Sequence, residues 1–396
     1  MTTINVIGCA KLEKIYAPNC NKLVTFNVSN TNALRSVTLS NCSNANLTIS
    51  LVGAPNLEEL SLDNTNTYDT IEFAPNFNKL KTLNISSSNI CAFQYGNNPV
   101  ATTSTGEKVL DLSPFTFDNL YLYYNSSKYI KFKNSKTNPY PVNSSTFNNC
   151  SNLNRVFGHI KINSGSVFST CPNFFIHDVL EDITIKPTRG QWYGPDTDTT
   201  EGKTQWDNNE NLETNITLGT ADIGSCFQGT KVNIYDVYYI LNMCDNVTSI
   251  NNLFYACSNV KTSFENPLSR DTFKYCGNVT SAVLTFYSTG LSGPMYSPTH
   301  TGDTVTEYNG LLSPLKKLTN VNQMFRTSGN MFYIDDLFFY NAAEDTPLQL
   351  KVIDSFFGYG NSNVVFVDNC DETLTEENAE SRRAYARASK LLRYLP

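Results

Sequence analysis

The chain has 396 residues, 40% hydrophobic and 12% aromatic but only 16% charged. Asn, Ser and Thr therefore carry its polarity, which favours turns, caps and stacked ladders over long solvated helices. A net charge of -7 argues against a nucleic-acid partner, which needs clustered Lys and Arg, and no apolar stretch approaches the ~18 residues of a membrane span, so no membrane insertion is expected.

The opening "MTTINVIGCAKLEKIY" has no basic segment followed by an apolar run, so no export signal is expected. Residues 1–90 form the most regular segment. Cys9, Cys20, Thr31 and Cys42 are spaced 11 residues apart, as are Leu12, Leu23 and Leu34, and Ile15, Phe26 and Val37. "CNKLVTFNVSNT", "TNALRSVTLSNC" and "APNLEELSLDNT" share one template. Their short apolar–polar–apolar alternation reads as a half-buried strand, followed by an Asn-containing turn. No helix fits beside a strand and a turn in 11 residues. Two units make 22 residues, one coil of a leucine-rich repeat. Stacking coils ~4.8 Å apart places each residue over its counterpart, so Leu stacks on Leu and a small Cys, Thr or Ala sits at each bend. The predicted fold is mainly β, an irregular leucine-rich-repeat solenoid with 11-residue half-coils, loop insertions and one C-terminal amphipathic helix.

On the strands of this segment, residues between core positions point outward: Lys14 and Tyr16, Thr25 and Asn27, Ser36 and Thr38, Glu59 and Ser61. They are read as one shallow polar ladder, either a solvated face or a binding surface on which Tyr16, Asn27 and Thr38 contact a carbohydrate or protein. The first repeat begins close to Met1, so an open strand edge is expected, covered by another protein chain or a second copy.

Residues 91–370 keep the repeat less strictly. Loop insertions are expected at 95–108, 186–215 and 287–310, which are polar and rich in Gly, Pro and Thr. The segment 118–141, "DNLYLYYNSSKYIKFKNSKTNPYP", is dense in Tyr and Lys. Tyr121, Tyr123, Tyr124 and Tyr129, with Lys128, Lys131 and Lys133, have the composition of an interface hot spot, although some of these tyrosines belong to the core. The 186–215 loop holds Trp192, Tyr193 and Trp206, with Asp196, Asp198 and Glu201 alongside. Those acids read as an exposed loop, as a paired-carboxylate glycosidase site or as a calcium site.

A second signature recurs in "TFNNCSNL" (146–153), "VFSTCPNF" (167–174), "LFYACSNV" (253–260) and "TFKYCGNV" (272–279), with degraded copies at 226–232, 324–332 and 356–364. It resembles the BspA-type leucine-rich-repeat family, whose repeats carry a Met/Ala-Phe-x-x-Cys-x-x-Leu core, over most of residues 1–365. The resemblance implies a non-enzymatic binding scaffold of the kind found on host-associated bacteria, some protists and gut phages.

The final segment, 371–396, changes character. Thr373 and Glu376 make a capping box, and Ala384, Ala388, Leu391, Leu392 and Leu395 share one helical face. It reads as a helix that either caps the stack or docks a partner.

Chemistry is hard to find. GxSxG, P-loop, HExxH and strand-borne GxGxxG motifs are all absent. The eleven cysteines are odd in number and follow the repeat, CxxC is absent, and the histidines are His159, His177 and His300. Most thiols are therefore expected to be reduced and buried, with no metal site and no cofactor. The expected function is a non-enzymatic scaffold acting by protein–protein or glycan binding, as a tail- or capsid-associated component of a phage virion. Its partners would be virion proteins or further copies of itself. The alternative is a bacterial surface adhesin for a host protein or glycan.

Overall fold

A computed structural model of the protein describes residues 1–67, 70–176, 214–262, 268, 270–291, 293–294, 311–312, 314–328, 332–334, 340–341, 346–347, 350–352, 356 and 364–366. The fold is mainly β: parallel strands on stacked coils form a β-solenoid of about 7 turns, about 22 residues apart, with very little helix. The chain divides into two compact units, one of Met1–Lys161, Val167–Ile176 and Asn208–Thr217, the other of the remaining residues.

In the first unit each coil contributes two strands. β1 (Thr3–Ile7), β3 (Thr25–Ser29), β5 (Thr48–Leu51), β7 (Thr70–Phe73) and β9 (Ala92–Tyr95) pair in parallel in that order. β2 (Lys14–Tyr16), β4 (Ser36–Thr38), β6 (Glu59–Ser61), β8 (Thr82–Asn84) and β11 (Asn119–Tyr121) form a second parallel sheet. The 11-residue step therefore alternates between sheets. Leu23, Leu34, Leu57 and Leu80, with Phe26, Val37, Ile49, Leu60 and Ile71, lie fully inside, and burying each such side chain contributes ~1.5–3 kcal/mol.

Leu60 pairs with Leu83 at a step of 23, but Leu83 pairs with Leu120. The difference is the insertion at 95–108, closed by an antiparallel bridge between Thr102 and Lys108 and bearing β10 (Leu110–Asp111) after it. A third sheet then takes over, in the order β10, β12 (Tyr129–Lys131), β14 (Arg155–Ile162), β13 (Tyr140–Val142), with β15 (Thr214–Leu218) also paired to β14. Between β13 and β14 lies the one-turn helix α1 (Ser144–Phe147).

The corners explain both repeat signatures. Asn19, Asn30, Asn41, Asn64 and Asn149 have φ between 49° and 61°, the left-handed region that Asn tolerates better than bulkier residues. Each immediately precedes the corner residue: Cys20, Thr31, Cys42, Thr65 and Cys150. The corner carbonyl accepts the N–H three residues on, as in Leu23 to Cys20 (2.9 Å), Leu153 to Cys150 (3.1 Å) and Val260 to Cys257 (3.0 Å). At six corners the side chain donates to the preceding coil, to the carbonyl three residues before the corresponding corner, whereas Thr31 donates to Gly53 O on the following coil. Cys42 reaches Ala17, Thr65 reaches Leu39, Asn125 reaches Ile85, Cys150 reaches Leu122, Cys171 reaches Phe147 and Cys257 reaches Phe227, at 2.7–3.7 Å. Cys, Thr and Asn are interchangeable here because each is small and carries a donor. In Phe-x-x-Cys-x-x-Leu, Phe supplies the acceptor carbonyl and a core ring, Cys the donor, and Leu the closing N–H.

In the second unit the same register persists through longer coils. Asp222, Ser249, Ser281, Asn320 and Val352 are bridged in series, separated by 27, 32, 39 and 32 residues. Phe227, Phe254, Phe286 and Phe325 stack at 5.4–6.2 Å between centroids. Phe273 is not in that column, although its motif follows that of Phe254 in sequence. It meets Phe286 edge-on, so consecutive motif copies sit on different sides of one coil. The helix α2 (Ile234–Leu241) was not expected from the 11-residue unit. Its start is held by a reciprocal exchange in which Asn233 N–H donates to Asp236 and Asp236 N–H donates to Asn233, inside an extended coil that has room for it. The expected C-terminal helix, 371–396, lies outside the described residues.

Two stability tests follow from the corners. Thr65 Oγ1 donates to Leu39 O and accepts the Cys42 N–H. Thr65→Val keeps the shape and orphans both partners, so denaturant unfolding should show a loss of ~1–3 kcal/mol, with Thr65→Ser closer to wild type. At Asn41 (φ 58°), Asn41→Val should cost at least ~1–2 kcal/mol and Asn41→Gly clearly less; equal effects would contradict the left-handed corner.

Candidate binding surface

Outward residues are set by the two-residue alternation of each strand. In the second sheet, Tyr16, Thr38, Ser61, Asn84 and Tyr121 stand in register on successive rungs. Tyr16 is 69% exposed. Tyr16, Thr38 and Tyr121 thus belong to one column. Asn27 does not. It lies on the first sheet between Asn5 and Ser50, and its amide donates to Asn5 Oδ1 at 3.1 Å. The single ladder read from sequence is two ladders, because consecutive half-coils feed different sheets.

Tyr121, Tyr123 and Tyr124 lie at the end of β11, where the rings of Tyr123 and Tyr124 meet at 6.1 Å, nearly perpendicular. Tyr124 occupies a left-handed corner, φ 57°, and is 58% exposed. An aromatic there costs backbone energy that Asn would largely avoid.

Tyr129 lies apart from them, on β12. Its ring stacks on Phe157 of β14 (5.9 Å, 11°), and Lys128 Nζ lies 5.3 Å from its centroid. Lys128 also binds Glu107 Oε1 at 2.5 Å. Lys131, one rung from Phe157 in register, reaches Asp111 Oδ2 at 3.9 Å. Arg155, in register with Tyr129, lies 4.8 Å over the Phe175 ring. Lys133 is exposed beyond Lys131. The face combines two stacked rings, several cations and two carboxylates.

Its electrostatics are local. The bond from Lys128, then that from Tyr129, holds the Glu107 carboxyl below its ordinary value. The bond to Glu107 raises Lys128, while burial and then Glu107 raise the Tyr129 phenol. Residues 107–161 contain Lys108, Lys128, Lys131, Lys133, Lys136, Arg155 and Lys161 against Glu107, Asp111 and Asp118. That is seven cations and three anions, a net +4 in a chain of -7, so the rest of the chain carries -11. Phe157, Arg155, Glu107 and Asp111 were not among the residues expected from sequence. The alternation in "RVFGHIKI" was an available sign that Arg155 and Phe157 share a face, but only the pairing of β14 with β12 places them beside Tyr129.

Trp192, Tyr193 and Trp206, with Asp196, Asp198 and Glu201, lie outside the described residues. Among the described residues, no group of three or more His, Cys, Asp and Glu could hold a metal ion. Three of the fully buried thiols, Cys150, Cys244 and Cys257, are poor nucleophiles. Burial pushes Cys257 up to about 11. Cys150 and Cys244 are held well above the ordinary thiol value, first by a hydrogen bond with Cys171 and Cys276 respectively and then by burial. His159 Nε2 is 2.9 Å from Thr217 Oγ1.

No protein-family model matches the chain, and neither a curated protein nor a solved structure matches it significantly. No helix among the described residues is long and apolar enough to cross a membrane.

Because Glu107 is depressed in the folded state, its pairing with Lys128 is complete above the ordinary carboxylate range and lost as pH falls through the depressed folded value. An NMR titration should place the Glu107 midpoint below that of an unstructured Glu, and Lys128→Ala should return it upward. A midpoint unmoved by that substitution would contradict the contact.

Proposed function

We propose that this chain is a non-enzymatic scaffold that works by binding other macromolecules, and that it serves as a tail- or capsid-associated structural component of a phage virion. The observation that carries the binding reading is the rigid face of Tyr129, Phe157, Lys131, Arg155 and Lys133, a basic and aromatic surface on an otherwise acidic chain. Aromatic rings and cations raised on strands lose little freedom when a partner binds. Strand edges support a role in assembly. Among the described residues β1 pairs only with β3 and β2 only with β4. Ile4, Val6 and Ile15 are half-buried, whereas Phe26, Val28 and Val37, which stack on them, are fully buried. Another protein chain, or a second copy, laid on these edges would complete the core and the backbone hydrogen bonds. The phage setting follows the resemblance of the Phe-x-x-Cys repeats.

The second reading is a bacterial surface adhesin. It draws support from Glu107 and Asp111 on the same face, since carboxylates accept hydrogen bonds from sugar hydroxyls while the rings pack against the sugar's apolar side. On that reading the ligand is a host glycan or protein.

Mass spectrometry of purified phage particles and of washed host-cell surfaces separates the two readings. The virion reading expects the chain in particles at a fixed copy number per major capsid protein; its confinement to the host surface would support the adhesin instead. In either setting, the double change Lys131→Glu and Lys133→Glu should weaken partner binding at least ~10-fold at low salt, and less at high salt. Unchanged binding would remove this face from the account.

A further inference from the structure

Cysteines that keep the repeat register stack on one another from coil to coil. Lys14 pairs with Ser36 at a step of 22, and the same step carries Cys20 to Cys42. Bonds on both sides hold that register at the corner itself. Asn19 N–H donates to Ser40 O at 2.8 Å, and Ser43 Oγ donates to Asn21 Oδ1 at 3.2 Å. Residues in register on adjacent coils lie ~4.8 Å apart at Cα, inside the ~4.4–6.8 Å window of a disulfide. The thiol contacts are long: Cys20 Sγ lies 3.8 Å from Pro18 O, and Cys42 Sγ lies 3.7 Å from Ala17 O and 3.8 Å from Ser40 O, so a disulfide here gives up only the longest of the inter-coil corner bonds.

We propose that Cys20 and Cys42 are a modification site, a thiol pair that takes up a small disulfide such as oxidised glutathione and closes into a covalent staple between two successive coils. Cys20 is half-exposed and Cys42, in register on the next coil, is buried, which fixes the order of events. The Cys20 thiolate attacks one sulfur of the incoming disulfide, forming a mixed disulfide and releasing one glutathione thiolate. The Cys42 thiolate then attacks the Cys20 sulfur, forming the Cys20–Cys42 bond and releasing the second. Two protein thiols are oxidised, one glutathione disulfide is reduced to two glutathiones, and the two thiol protons pass to them. Burial raises the Cys42 thiol, so the second step is the slower one and speeds up with rising pH.

Two further pairs share the register: Cys150 with Cys171, beside Asn149 N–H donating to Ser169 O, and Cys244 with Cys276, at the step that joins Ser249 to Ser281. All four of these thiols are buried. An external disulfide cannot reach a buried sulfur without local opening, so these pairs stay reduced while the fold is intact. A staple at Cys20–Cys42 would secure the coil that bears the edge strands β1 and β2 when the protein enters an oxidising medium.

The test uses the reduced full chain, incubated with oxidised glutathione under native conditions, quenched by alkylation and mapped by non-reducing peptide mass spectrometry. The expected product is a Cys20–Cys42 cross-link, with Cys150, Cys171, Cys244 and Cys276 alkylated. Cys42→Ser should stop at glutathionylated Cys20, and Cys20→Ser should leave Cys42 alkylated, with circular dichroism confirming that both variants fold. In the wild type, oxidation should raise the melting midpoint by several degrees, and a reductant should reverse the shift. A stable glutathione adduct on wild-type Cys20, a cross-link between two chains, or cross-linking of the buried pairs first would each overturn the proposal.

Discussion

The carbonyl oxygen of Phe147 accepts two donors, the N–H of Cys150 at 3.1 Å from its own turn and the thiol of Cys171 at 2.9 Å from the next coil. Leu122 O repeats it with the Asn125 N–H and the Cys150 thiol, and Phe227 O with the Thr230 N–H and the Cys257 thiol, and the stacking of the coils depends on such bonds. A coil that must turn sharply every 11 residues presents buried carbonyls that the sheet ladders cannot reach, and each unsatisfied group would cost ~1–3 kcal/mol. A small donor at the bend satisfies them across the stack and at the same time sets the spacing of the coils. Any of Cys, Thr, Ser and Asn can fill the position, which is why the repeat is strict in spacing and loose in identity.

The architecture was legible because that constraint leaves a periodic trace. Leu12, Leu23 and Leu34 announce the core, and Asn before Cys or Thr announces the corner, although the Asn matters for its left-handed backbone as well as for its side chain. Periodicity alone could not assign half-coils to sheets. Tyr16 and Asn27 are one step apart on the clock and stand on different sheets. Nor could it say on which side of a coil a motif lies, so Phe273 looks like the successor of Phe254 and is not. α2 was missed because a helix needs room that the basic unit lacks. The added length between Asp222 and Ser249 supplies it, and the spacing of Asn233 and Asp236 was the available sign.

The binding face shows the same division. Tyr129, Lys131 and Lys133 could be marked from composition, since Tyr and Lys alternate around buried Ile130 and Phe132. Their neighbours Phe157 and Arg155 arrive from a strand that is adjacent only in space, and Glu107 arrives from an insertion. The corner bonds supply the rigidity that holds these side chains at fixed rungs. A surface so built is suited to recognising a partner by a pattern of charge and rings, without enclosing it.

Site-resolved amide hydrogen exchange tests the corner account most directly. If inter-coil donors lock the bends, the N–H groups of Leu23, Leu34, Leu153 and Val260, which close the corner turns, should exchange as slowly as the neighbouring strand amides Phe26, Val37 and Val156. If those corner amides exchange at loop-like rates while the strands stay protected, the bends are only connectors and the account is wrong.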